Sequence, residues 1–334
     1  MVVLCAGTGG SQILSALKSC GVNLTAIVNV TDNGGSSRDI RESFAMPQPG
    51  DARKCMEALC EKSVLRERQD LQDLFAYRFE RGRFKGVSMG NMILAAFHEL
   101  SLKKQLSEGV ARASRMLSLS GKVVPVTDAS RQICARYVDG QTLCGEWEII
   151  SRAPRVKIER VFLDMTASAT NEAVAAIQKA EIILIAPGSL YTGIIPLFLM
   201  RGIKGALKKS RAKKIWVANV LSQPGLTDGM TIADHIHEIE KYSGVFLNVA
   251  IINSMPVPLM FLRHYQKFHA QVLAEGVIPA RVNVMRVPCI EARPSSSARK
   301  ELARGAHFEK WRSWCHLLRH DSKKLRYIFN RVLK

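Results

Sequence analysis

The chain has 334 residues, 47% of them apolar and 23% charged, the balance of an ordinary globular protein and not of a chain too polar to bury a core. That length exceeds the usual single-core range, so one large domain with an elaboration, or two lobes, is expected. The net charge of +19 is the outlier, and it points either to phosphorylated ligands, nucleic acid or an anionic surface, or to a general lysine and arginine bias in composition.

Val2 to Ala6 reads as a buried strand, Gly7-Thr8-Gly9-Gly10 as a loop and Gln12 to Ser19 as a helix, the entry of a doubly wound fold. Met1 to Ala6 is too short, and lacks the basic flank, for a secretory signal. The glycines let a backbone approach a ligand at a helix N-terminus, although the same residues serve a tight turn. Gln12 stands where a dinucleotide fingerprint carries its third glycine, which ranks a nicotinamide-dependent dehydrogenase last among the readings.

Leu24 to Val30 is the next strand, and Asp32, Asn33, Gly34, Gly35, Ser36 and Ser37 follow at its carboxyl end, where open α/β sheets bind ligands. Asp32 can take a metal such as Mg²⁺, and the glycine amides and serine hydroxyls can take phosphate oxygens. The same residue types also build a plain surface turn. Pro47 to Asp51 is a turn whose Asp51 can cap a helix running to about Lys62, and residues 69–79 form another helix. Gly86-Val87-Ser88 leads into a helix with Met89, Met92, Ile93, Ala96, Phe97 and Leu100 at helical spacing, read as its core face.

Residues 1–120 are thus the first part of a Rossmann-like core. Residues 121–164 read as a small β-rich insertion, with β-prone runs at 123–127, 133–138, 142–150 and 156–163. The α/β alternation resumes over 165–292. There Ile182 to Met200 holds no charge, but Pro187, Gly188, Gly193 and Pro196 break it into strand, loop and buried helix, not a membrane span. Strands are also expected at 214–220 and 247–252, with a helix near 231–241. Residues 293–334 form a basic helical C-terminal segment, with twelve Lys/Arg against four Asp/Glu over 291–334 and a flexible joint at Arg293 to Ser297.

Two further polar loops follow strands: Pro187 to Thr192, offering Gly188, Ser189, Leu190, Tyr191 and Thr192, and Asn219 to Thr227, with Gln223 and Thr227 as ring or ribose contacts. Four such loops on one rim of a parallel sheet argue for a nucleotide-sized pocket. Arg38, Arg41, Arg53 and Arg319 are the arginines that could meet its phosphates, although each taken singly reads first as a surface charge. No nucleophile–base pair appears, and His235 and His237 lie two apart on a helix, facing different ways. The eight cysteines show no metal spacing and read as free thiols of a reducing, cytoplasmic setting. No nucleic-acid-binding signature accompanies the positive charge.

Taken together, the chain resembles the 2-phospho-L-lactate transferase-like superfamily and, within it, the bacterial gluconeogenesis factor family. Ala6 to Gly10, Asp32 to Ser37, Pro49 to Arg53, Gly86 to Asn91, Ala186 to Thr192, Asn219 to Thr227 and Arg319-His320-Asp321 match the family's motifs in order. The resemblance adds Ser88 and Asn91 to the binding candidates. It implies a Rossmann-like core that holds a phosphorylated nucleotide compound. In transferase members an acid-held metal serves phospholactyl transfer from a guanosine diphosphate-linked donor to a deazaflavin. The gluconeogenesis-factor branch, which this chain resembles more closely, binds uridine diphosphate sugars with the arginine of Arg-His-Asp implicated. That branch supports cell morphogenesis and growth on gluconeogenic carbon, with no established catalysis. Asn33 replaces the second acid of the family's pair, and Arg38, Val87, Ala186 and Leu226 are further departures. The expectation is a cytoplasmic nucleotide-sugar binder, with a homodimer as its assembly. A phospholactyl-type transferase and a basic nucleic-acid-binding protein are the alternatives.

Overall fold

The computed structural model describes residues 1–32, 37–61, 65–152, 155–293 and 317–332. From β1 (Val2–Cys5) the chain enters α1 (Gly7–Leu17) and returns as β2 (Thr25–Val28). It then runs through α2 (Ser37–Ser43), α3 (Gly50–Leu59), α4 (Arg66–Ala76), α5 (Met89–Glu99) and α6 (Leu106–Leu117) to β3 (Lys122–Pro125). A separate unit follows, made of β4 (Ile133–Tyr137), β5 (Thr142–Cys144), α7 (Glu146–Ile150) and β6 (Ile158–Leu163). The core resumes with α8 (Asn171–Lys179), β7 (Ile182–Ile185), a π-helical turn (Leu190–Ile194), α9 (Ile195–Leu199) and α10 (Ile203–Lys209). β8 (Lys213–Val217), α11 (Ile232–Ser243), β9 (Val249–Asn253), α12 (Leu259–Gln266) and β10 (Asn283–Val287) extend it, and α13 (Ser322–Val332) packs on α1.

Seven strands form one parallel sheet in the order β10-β9-β8-β7-β1-β2-β3. Helices cover its faces, so its central strands read as unbroken apolar runs; all four residues of β1 are buried. Strand order reverses at β1, where Val2 lies opposite both Thr25 of β2 and Ile183 of β7. This is a doubly wound, Rossmann-like α/β fold. A crevice opens at such a reversal because the two flanking connections leave in opposite directions.

Several expectations change. The glycines Gly7 to Gly10 are not a loop before the helix but its first turn, entered at Gly7 with φ +59°. Segment 121–164 divides: β3 joins the main sheet, while β4, β5 and β6 make a three-stranded antiparallel sheet. Residues 146–150, expected as strand, are helical, because Gly145 turns the chain with φ +106°. The fully buried face of α5 is Gly90, Asn91, Leu94, Ala95 and His98; of the expected stripe Met92, Ile93 and Phe97 pack partly buried against the core, and Leu100 is 65% exposed. Burial of polar Asn91 is made affordable by Arg53, whose Nε donates to its side-chain oxygen at 3.1 Å. Cys134 and Cys144, directly opposite across β4 and β5, form a disulfide, so these two are not free thiols. Arg293 is the last described residue before 317, and the expected joint at 294–297 lies outside the described residues. Among the described residues no helix is long and apolar enough to cross a membrane.

Candidate functional site

A cleft of about 390 Å³ opens at the strand-order reversal, lined by residues that follow β1, β2, β7 and β8. Its floor is the start of α1. Ala6, the N-cap, supplies no side-chain hydrogen bond, and the Gly7 amide donates instead to Asp51 Oδ2 at 2.6 Å. The amides of Thr8 and Gly9 have no intrahelical partners by position, on residues that line the cleft. Helix N-termini attract anions through these donors and through the dipole. The packing also explains the glycines: a Cβ on Gly9 would lie 2.0 Å from the Pro187 carbonyl oxygen, and one on Gly10 would lie 2.5 Å from Cys5 Cβ.

Asp51 therefore does not cap its own helix α3, whose N-cap is Pro49; it bridges two elements. Its other oxygen accepts from Lys54 Nζ at 3.1 Å, three residues on along α3. The Asp51 charge, with Asp32 adding, raises the Lys54 pKa against the opposing pull of burial. Asp32 Oδ2 accepts from Gln48 Nε2 at 3.3 Å, and Gln48 Oε1 in turn accepts from the Asp51 amide. On the facing wall, Asn219 and Gly188 exchange two hydrogen bonds, fixing the loop after β7 to the loop after β8. Ser189 Oγ and Thr192 Oγ1 lie 2.6 Å apart, and Thr192 Oγ1 donates to Glu146 Oε1 of α7 at 3.2 Å.

The remaining wall comes from α12 and the C-terminal segment: Tyr265, Leu318, Arg319 and His320. Tyr265 accepts from the Leu318 amide at 3.0 Å, and the Glu291 amide donates to the Arg319 carbonyl at 3.0 Å. Burial pushes the Glu291 carboxyl up, opposed by the Arg319 charge. Asp321 accepts from the Lys323 and Lys324 amides and so opens α13. His320 is buried, and desolvation lowers its pKa to about 4 against a weaker opposing contact with the Ala218 backbone. The unfolded chain, with an ordinary histidine pKa near 6.5, binds the proton first, so stability falls as pH drops from about 6.5 towards 4. His320→Leu is expected to remove about 2 kcal/mol of the stability lost between pH 7 and pH 5, read from denaturant midpoints at both pH values. An unchanged pH slope in the variant refutes the assignment.

Of the residues anticipated from sequence, the cleft gathers Gly7, Thr8, Gly9, Asp32, Asp51, Gly188, Ser189, Thr192, Asn219, Gln223 and Arg319. Asn33, Gly34, Gly35 and Ser36 lie outside the described residues, and Ser37 opens α2. The others are not among the residues that line the cleft. Gly10 packs on Cys5, and Arg41 donates to Ser130 Oγ and the Arg131 carbonyl. Arg53 is paired with Glu57 and Asn91, while Ser88 is buried with its hydroxyl unpartnered among the described residues. Leu190 and Tyr191 are core, and Thr227 Oγ1 closes a turn by accepting from the Gln223 amide. Lys54, Glu146 and Tyr265 line the cleft without having been anticipated.

Among the described residues, the carboxylates at the cleft do not suit a resident Mg²⁺. Asp51 is committed to the Gly7 amide and the Lys54 ammonium, Asp32 is bonded to Gln48, and Lys54 lies within the field of both carboxylates. A divalent cation between them would meet that ammonium charge. Among the described residues no group of three or more His, Cys, Asp or Glu side chains is arranged to hold a metal ion.

The family model described as 2-phospho-L-lactate transferase CofD matches residues 1–293. The gluconeogenesis factor of Halalkalibacterium halodurans is 37% identical over 274 residues, 81% of this chain and 82% of that relative. That of Bacillus subtilis is 37% identical over 263 residues, 78% and 80% of the two chains. A crystal structure of a UPF0052 family member from Bacillus halodurans is similar across 98% of both chains, with 31% identity and a TM-score of 0.83.

Proposed function

The chain belongs to the 2-phospho-L-lactate transferase CofD family, and from that premise we propose that it is a gluconeogenesis factor whose cleft binds a uridine diphosphate sugar. One observation carries this reading: the amino end of α1, Lys54 and Arg319 line one cleft at the strand-order reversal. A diphosphate there meets the amides of Thr8 and Gly9, which by position have no intrahelical partner, and two cationic side chains, while Asn219 and Gln223 supply polar contacts farther along. The choice of uridine rests on the sequence resemblance. A cytoplasmic setting, a homodimer and a role in cell morphogenesis and growth on gluconeogenic carbon belong to the same reading.

Transfer of a phospholactyl group is the second reading, favoured by the family's description and by Asp32 at the cleft. The commitments of Asp32 and Asp51 weigh against a metal-dependent version of it.

Thermal melting separates the readings. A ligand at one hundred times its dissociation constant adds about 2.7 kcal/mol, roughly 4 °C for a chain of this size. Uridine diphosphate sugars are expected to give that rise and Arg319→Ala to abolish it. A rise with guanosine diphosphate ligands alone, or a full rise in the variant, overturns the assignment.

A further inference from the structure

We infer that Lys54 is the cation that receives the ligand's phosphates, so that the cleft binds its nucleoside diphosphate without a divalent metal. The inference rests on the reading of the cleft given above and specifies how the site works.

Lys54 is held where a phosphate-bridging ion would be needed. It projects from the first turns of α3, lines the cleft, and is tied through Asp51 to the amide that opens α1. Asp51 is buried, with 8% of its side chain accessible, whereas 34% of the Lys54 side chain remains accessible. The ammonium thus has one face on the carboxylate and another open to the cleft. A primary ammonium has three donors, and the Asp51 contact uses one. A phosphate oxygen arriving at α1 would find amide donors and an ammonium on the same side, a combination that binds a phosphate as a point charge plus backbone cradle does.

The carboxylates decide against a metal in that place. Magnesium bound through protein and phosphate takes one or two carboxylates and keeps near-octahedral geometry. Here one carboxylate neutralises Lys54 and caps a helix, and the other accepts from an amide whose own oxygen is bound to the Asp51 backbone. Freeing either for a metal breaks a connected set of hydrogen bonds and brings two positive charges together. Lys54 turns its accessible ammonium donors to the cleft, with the Asp51 counter-charge buried behind them.

Calorimetric titration tests this with uridine diphosphate glucose, uridine diphosphate N-acetylglucosamine and inorganic pyrophosphate, each in excess EDTA and in millimolar MgCl₂. The wild-type protein is expected to bind with the same affinity, within about twofold, in both conditions. Lys54→Met is expected to weaken binding about tenfold or more in both, and Lys54→Arg to stay near the wild-type value. Wild-type binding that disappears in EDTA and returns with magnesium overturns the inference, whatever the variants do. So does wild-type affinity in a folded Lys54→Met protein. Lys54-dependent pyrophosphate binding in EDTA, with no response to either nucleotide sugar, upholds the role of Lys54 and overturns the nucleotide-sugar reading. Silence from all three probes removes both.

Discussion

An alanine at position 9 is expected to destabilise the protein by about 3 kcal/mol or more, the upper end of what overpacking costs. Its Cβ would lie 2.0 Å from the Pro187 carbonyl oxygen and 2.8 Å from the carbonyl carbon, and both are backbone atoms with no rotamer to escape into. Relief requires the chain after β1 to move away from the chain after β7, although those strands are hydrogen-bonded neighbours. The movement would also open the floor of the cleft, so the ligand-induced rise in melting temperature should vanish with the stability. For a chain of this size the melting temperature should fall by roughly 4 °C or more. Gly205→Ala is the control. It sits inside α10, and a Cβ there meets nothing within 4 Å. That substitution should be neutral or stabilise by up to about 1 kcal/mol. If Gly9→Ala melts with the wild type, the close approach of the two chains is wrong.

Asp51→Ala is the second large effect, expected at about 2–4 kcal/mol. It strands the Gly7 amide at the head of α1 and leaves the Lys54 ammonium beside Asp32 without its partner. Asp51→Asn keeps an acceptor for the amide but removes the charge, and should lose roughly half as much. Adding Lys54→Met to Asp51→Ala removes the stranded ammonium. The double variant should therefore be more stable than the sum of the single losses predicts, by about 1 kcal/mol. Urea midpoints at neutral pH measure the wild type, Asp51→Ala, Asp51→Asn, Lys54→Met and the double variant. Strict additivity means that the two side chains do not act as a pair.

The contrast between Asp51 and Lys54 shows what can be read from the sequence of this site. Asp51 stands out because a Pro-Gly-Asp turn before an apolar run marks a helix start. Its actual partner is the head of a different helix, and nothing local announces that α3 packs against α1. Lys54 is one lysine among many until that docking brings it to the cleft. Residues after strands were easier: Gly7 to Gly9, Gly188, Ser189 and Asn219 share the rim because parallel strands bring their carboxyl ends together. Arg319 was reached through a motif, since no periodicity links it to the sheet. Glu146 was hidden by its β-prone neighbours Trp147, Ile149 and Ile150, which a single glycine turns into a helix. The Cys134–Cys144 bond depends on strand register, which spacing alone does not specify.

The position of β1 in the sheet also dictates the order of assembly. Val2, Val3 and Leu4 take their second set of neighbours from Ile183, Leu184 and Ile185, 181 residues later in the chain. Until β7 emerges, β1 has one complete edge exposed, apolar on both faces and competent to pair with any other extended segment. Contacts so distant in sequence close slowly, because loop entropy is lost before any pairing is gained. A chain interrupted anywhere before residue 182 therefore carries an open inner edge in place of a finished half-domain, and its predicted fate is association with copies of itself.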